Sequence, residues 1–211
     1  MRVLTRALAG AAVAGTLAVV GVQAPASADV PNFRIGVQMI DNGNMIGDMQ
    51  MTPFATFTGT AGGQCSPWAG DLNTYDPDGA RVMINGAPRG MLGARDVRVG
   101  IQVTDNAGTE TGPVQWSPWA SSGGGVSSDA FDSNRYDPDQ VRVCLETRPM
   151  PAGIEIYDFR ISIKAVDAGG ADQAGFRQYT PWIVDGGGAS PFAFDGNGYD
   201  PDGFAIGIDV F

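Results

Sequence analysis

One stretch occurs three times and constrains everything around it. Asp71-Leu-Asn73-Thr-Tyr75-Asp76-Pro77-Asp78-Gly79 is followed by Asp132-Ser-Asn134-Arg-Tyr136-Asp137-Pro138-Asp139-Gln140 and by Asp195-Gly-Asn197-Gly-Tyr199-Asp200-Pro201-Asp202-Gly203. The shared pattern is D-x-N-x-Y-D-P-D. Its tyrosines lie 61 residues apart (136 − 75) and then 63 (199 − 136). Recurrence at near-equal spacing predicts three stacked copies of one unit, because a unit of about 60 residues cannot bury its apolar face alone.

Each copy opens on an alternating segment: Phe33-Arg-Ile-Gly-Val-Gln38, Val97-Arg-Val-Gly-Ile-Gln102 and Phe159-Arg-Ile-Ser-Ile-Lys164. Apolar residues at every second position predict a half-buried strand. Turn chemistry follows at Asp41, Asp105 and Asp167, each leading a run of Asn, Gly and Ala that reverses the chain into a hairpin. The returning segment ends as Gln50-Met-Thr-Pro53-Phe54, Gln115-Trp-Ser-Pro118-Trp119 and Gln178-Tyr-Thr-Pro181-Trp182. Proline there marks a strand end or an edge. A glycine-rich loop then leads through Ser66-Pro-Trp68, Ser127-Ser-Asp129 or Ser190-Pro-Phe192 into the triplicate. The last strand is Arg81-Val-Met-Ile84, Arg142-Val-Cys-Leu145 or Ala205-Ile-Gly-Ile208. Val82, Ile84, Val143, Leu145, Ile206 and Ile208 should face inward, with Cys144 on the opposite face.

The expected fold is all-β, a pseudo-threefold repeat of about four strands per unit. It is β-prism-like, with a β-trefoil as the alternative. The repeats run over about 29–91, 92–152 and 153–211. Residues 1–28 read as a cleaved signal peptide: Arg2 and Arg6, an apolar stretch from Ala7 to Val22, then Ala26-Ser-Ala28. The remaining domain is expected to be secreted. Removing two of 13 basic residues leaves 11 against 23 acids, a net charge of −12. Such a surface repels phosphate backbones and anionic lipid heads, so neither nucleic acid nor membrane insertion is expected. Outside the cell Cys65 and Cys144 should form a disulfide. It would close a loop of about 80 residues and contribute roughly 3–5 kcal/mol in the chain-entropy model. The alternative is two buried thiols.

The triplicate admits three chemistries. Closely spaced acids can wrap calcium, which takes oxygen ligands, and Asp76, Asp78, Asp137, Asp139, Asp200 and Asp202 are the metal candidates. The spacing is not that of an EF-hand. Tyr-Asp-Pro-Asp-Gly is also plain turn chemistry before a strand. Third, aromatic rings stack on sugar C–H faces while Asp and Asn grip hydroxyls. The ligand-binding candidates are therefore Trp68, Asp71, Asn73 and Tyr75; Trp119, Asp132, Asn134 and Tyr136; Trp182, Asp195, Asn197 and Tyr199. Three such sites would gain avidity for a glycan or cell-surface polysaccharide. Asp71-x-Asn73 resembles part of the Q-x-D-x-N-x-V-x-Y signature of monocot mannose-binding lectins, but Pro77 breaks the strand that signature needs, so no sites carry over. The order of elements resembles bacterial repeats of the hydrophobic-tryptophan type, whose G-W pair is absent.

There is no histidine in the chain, which removes Ser-His-Asp and Cys-His nucleophile systems. A catalytic carboxylate pair is usually unique in a chain, whereas these acids come in triplicate. The expectation is a non-catalytic, lectin-like binding protein. The alternative is a structural or interaction protein of the cell surface or extracellular matrix.

Overall fold

The computed structural model describes residues 32–41, 45–56, 64–70, 77–86, 95–105, 109–132, 138–154, 158–167, 175–185, 187–194 and 201–211. The protein is all-β, with three antiparallel sheets. Six long strands supply the frame: β1 (Asn32–Asp41), β2 (Gly79–Gly86), β3 (Arg95–Asp105), β4 (Gln140–Pro149), β5 (Phe159–Val166) and β6 (Gly203–Val210). β1 pairs with β2, β3 with β4, and β5 with β6. The alternating segments are therefore strands, each paired with the strand that follows its own triplicate. The other expected strands are segments of two or three residues. Two single-turn 3-10 segments, Ala120–Ser122 and Ile183–Asp185, complete the described elements.

The inward positions behave as the alternation predicts. Ile35, Val37, Val82, Ile84, Val99, Ile101, Val143, Leu145, Ile161, Ile163, Ile206 and Ile208 are buried in one cluster fed by all three sheets. Phe33 and Phe159 meet edge to face there, 5.3 Å between ring centroids. Cys144 is fully buried yet outside that cluster, because it lies on the opposite face of β4.

The edges of the three long pairs are completed by an exchange of segments between sheets. Each long pair carries its own return segment on one edge: Gln50–Met51 on β1, Gln115–Trp116 on β3, Gln178–Tyr179 on β5. The other edge is filled by a neighbouring unit. Gln64–Cys65 pairs with β4, Gly125–Val126 and Ala130–Phe131 with β6, and Gly187–Ala189 and Ala193–Phe194 with β2. The donation runs first sheet to second, second to third, third back to first. Cys65 and Cys144 are register partners and are bonded, so the disulfide pins one of these exchanged segments. Gly124 and Gly187 begin two of them at φ 67° and 69°. A Cβ there would lie 2.2 Å from the Ile208 carbonyl oxygen or 2.5 Å from that of Ile84, so only glycine brings the segment this close.

Candidate functional site

Six hydroxyl residues attach the short arms to the long strands, and all six use one device. Thr52, Ser117 and Thr180 each donate a backbone N–H to the carbonyl of Ile35, Val99 and Ile161, at 2.8, 2.8 and 2.9 Å. The hydroxyls of the same residues accept the N–H of those same strand residues, each at 3.1 Å. On the exchanged edges Ser66, Ser127 and Ser190 do likewise with Val143, Ile206 and Val82. The side-chain oxygen takes the place that the arm's own carbonyl would hold in a regular ladder. All six residues are buried.

Two residues beyond each hydroxyl comes a position that is aromatic in five of the six arms, at Phe54, Trp68, Trp119, Trp182 and Phe192. One residue before the clamped strand residue is an arginine, in the same five cases. The two meet. The guanidinium carbon of Arg34 lies 4.5 Å from the Phe54 ring centroid, Arg142 4.5 Å from Trp68, Arg98 4.8 Å from Trp119, Arg160 4.7 Å from Trp182 and Arg81 4.6 Å from Phe192. These are cation–π contacts, worth about 0.5–1 kcal/mol each at solvated sites. The rings stand on the outward faces of the sheets, away from the aliphatic core. Trp119 carries a second guanidinium, Arg148 at 4.0 Å, and Trp182 meets Phe211 edge to face. The sixth arm has Asp129 where the ring would be, and Ala205 stands where the arginine would be.

Four of the five arginines are also bonded to a side chain on their register partner. Arg81 donates Nε to Gln38, and Arg142 donates Nε to Gln102, both at 2.8 Å. Arg98 pairs with Glu146 at 2.6 Å through Nε, and Arg160 with Asp209 at 3.2 Å. Arg34 differs. Its register partner is Asn85, an exposed residue, and the Arg34 Nε is out of solvent with no hydrogen-bond partner among the described residues.

The tryptophan candidates Trp68, Trp119 and Trp182 are thus half-buried, each against an arginine. Of the triplicate, Asp78 and Asp202 are buried and Asp139 half-buried where the last strands begin, and each is engaged by a hydrogen bond or electrostatic contact. Asp132 is 4% exposed. It meets two residues the sequence did not single out as ligands, Asp105 and Glu110, with one carboxylate oxygen of each within 4.8 Å of the others. Asp105 and Glu110 are register partners across the hairpin. Gly112 admits the Asp132 segment, since a Cβ on it would overlap the Phe131 carbonyl. Asp71, Asn73, Tyr75, Asp76, Asn134, Tyr136, Asp137, Asp195, Asn197, Tyr199 and Asp200 lie outside the described residues, as does the segment 1–28.

The five arginines were not among the sequence candidates, and Phe54 and Phe192 entered only as repeated aromatic positions. Their signal was present: Gln50-Met-Thr-Pro-Phe54 and Gln64-Cys-Ser-Pro-Trp68 are the same word, Q-x-[ST]-P-aromatic, occurring twice within one unit. Among the described residues no helix is long and apolar enough to cross a membrane. The chain matches no protein-family model, no curated protein and no solved structure.

Proposed function

We propose that this is an exported, non-catalytic binding protein, a multivalent lectin-like carbohydrate-binding domain on a pseudo-threefold prism of about four strands per unit. The observation that carries the reading is the set of five outward aromatic rings, each with a guanidinium over one face, spread over three sheets. A sugar offers an apolar face to a ring and hydroxyl oxygens to N–H donors, and such a pair presents both. Phe54 is exposed, and Phe54 and Trp68 are each met by one arginine alone among the described ring contacts. Several shallow sites on one rigid body suit a clustered glycan of a cell surface, through avidity. The Cys65–Cys144 bond fits an oxidising compartment.

Calcium is the cation that Asp105, Glu110 and Asp132 would suit as a structural partner. Three carboxylates supply part of the six to eight oxygens it takes, and carbonyls and water supply the rest.

A glycan array read with and without chelator tests both parts. The expected result is binding that weakens in Trp68→Ala and Phe54→Ala. Failure to bind any sugar in either condition would favour the second reading, a structural or interaction protein of the cell surface. What speaks for that second reading is that four of the five arginines already spend N–H groups within the molecule.

A further inference from the structure

Arg34, Arg98 and Arg160 occupy one position repeated on the first long strand of each pair, and the molecule itself shows what that position takes. In the second and third sheets the residue across the ladder is an acid. Glu146 accepts from Arg98, and Asp209 accepts from Arg160. In the first sheet the same place holds Asn85, whose side chain makes no hydrogen bond to the Arg34 Nε among the described residues. The Arg34 Nε is out of solvent and has no acceptor among the described residues. Leaving a buried donor unmade is costly, more so on a charged group. Beside it stands Phe54, 46% exposed, its ring 4.5 Å from the guanidinium carbon.

We propose that Arg34, Phe54 and Asn85 form a subsite for the carboxylate of an acidic sugar, so that the favoured ligand is a short oligouronate. The proposal rests on the carbohydrate-binding reading above and names the ligand class for one of its platforms. A ligand carboxylate entering over the exposed Asn85 side chain would lie where Glu146 and Asp209 lie in the sister sheets. The guanidinium edge is built for such an oxygen pair, which it holds through two parallel N–H bonds. The pyranose ring attached to that carboxylate then falls beside Phe54, whose exposed part offers an apolar surface. The chain's formal net charge of −10 opposes long polyanions, which restricts the ligand to a few residues.

The test is isothermal calorimetry with trigalacturonate and with its fully methyl-esterified counterpart, which keeps the shape and removes the charge. The proteins are wild type, Arg34→Gln and Asn85→Asp, each with its thermal midpoint recorded. Wild type should bind the acid at least tenfold more tightly than the ester. Asn85→Asp supplies the carboxylate that the sister sheets already have. It should erase that preference, keep the ester affinity and raise the midpoint. Arg34→Gln should also erase the preference; if it does not fold, Asn85→Asp decides the matter alone, since residue 85 is exposed. Equal binding of acid and ester by wild type, or a preference surviving in Asn85→Asp, overturns the subsite and leaves the carbohydrate reading standing. Binding of neither trisaccharide overturns the subsite, and the carbohydrate reading falls with it only if the glycan array is blank as well. Displacement of trigalacturonate by equimolar acetate would show an anion site with no use for the sugar, and would overturn the proposal as well.

Discussion

Ser190→Ala removes one oxygen and tests the device on which the closure of the three sheets depends. Ser190 is 2% exposed, and its hydroxyl accepts the N–H of Val82 at 3.1 Å while donating to the Pro191 carbonyl at 2.8 Å. Val82 is fully buried, so water cannot replace the lost acceptor. A buried backbone donor without a partner costs about 1–3 kcal/mol, and the loss should be about 2 kcal/mol. A domain of this size loses about 2–4 °C of thermal midpoint per kcal/mol, so the midpoint should fall by about 4–8 °C.

Amide exchange reads the same change locally. The Val82 amide should lose protection, because the arm of Ser190 is held to β2 without a covalent link. Ser190→Thr should stay within about 0.5 kcal/mol of wild type, because Thr52 and Thr180 already do this work on β1 and β5. If Ser190→Ala costs less than about 0.5 kcal/mol and Val82 keeps its protection, the hydroxyl is not standing in for a carbonyl, and the account of all six arms is wrong.

Three further outcomes follow from other contacts. Gly203→Ala would put a Cβ 2.3 Å from the Ala130 carbonyl oxygen and 2.7 Å from a Phe131 ring carbon, and should cost about 2–3 kcal/mol in urea melts; Gly203→Gln with Phe131→Gly, which copies Gln140 against Gly70, should recover part of the loss of Gly203→Gln alone, and strict additivity would refute the packing argument. Asp96→Asn should cost about 2–3 kcal/mol by denaturant midpoint, since this fully buried carboxylate accepts from the Ser121 N–H and hydroxyl as well as from Arg148 Nε; the Arg148 share is discounted because its side chain is 40% exposed. Reducing Cys65–Cys144, 79 residues apart, should lower stability by about 4.5 kcal/mol in the chain-entropy model, and the urea midpoint by roughly 2 M; a midpoint indifferent to reductant would refute the chain-entropy account of this bond.

Period-two alternation is a local signal with a local cause, so the inward faces were legible. A residue such as Ile161 or Val143 must face the core whichever strand lies beside it. The candidate site was legible only in part. Tryptophans stand out by type, and Trp68, Trp119 and Trp182 do lie on the outward faces. Their arginine partners do not stand out, because an arginine between apolar strand residues looks like any solvated outward position. Asp105 reads as a turn residue, and only the placement of Glu110 and Asp132 against it makes a cluster.

The exchange of arms was the least legible feature, although the sequence contains it. Where Gly79 and Gly203 open a last strand, the arm that pairs there brings Phe194 and Phe131; where Gln140 opens it, the arm brings Gly70. Large meets small each time. The pairing holds only if the arm belongs to the preceding unit. Matched within a unit, Gly79 would face Gly70 and Gln140 would face Phe131, leaving a void in one sheet and a clash in another. Arginine and ring covary in the same way: Arg142 has Trp68, Arg81 has Phe192, and Ala205 faces an arm with Asp129. Cys65 and Cys144 follow the rule too, since they occupy non-equivalent places in their own units and opposed places across the exchange. Three residue chemistries therefore agree on one connectivity. Volume, charge and covalent reach each discriminate among partners that hydrophobic period treats as identical. The information lay in differences between the copies, whereas a search for repeats attends to what the copies share.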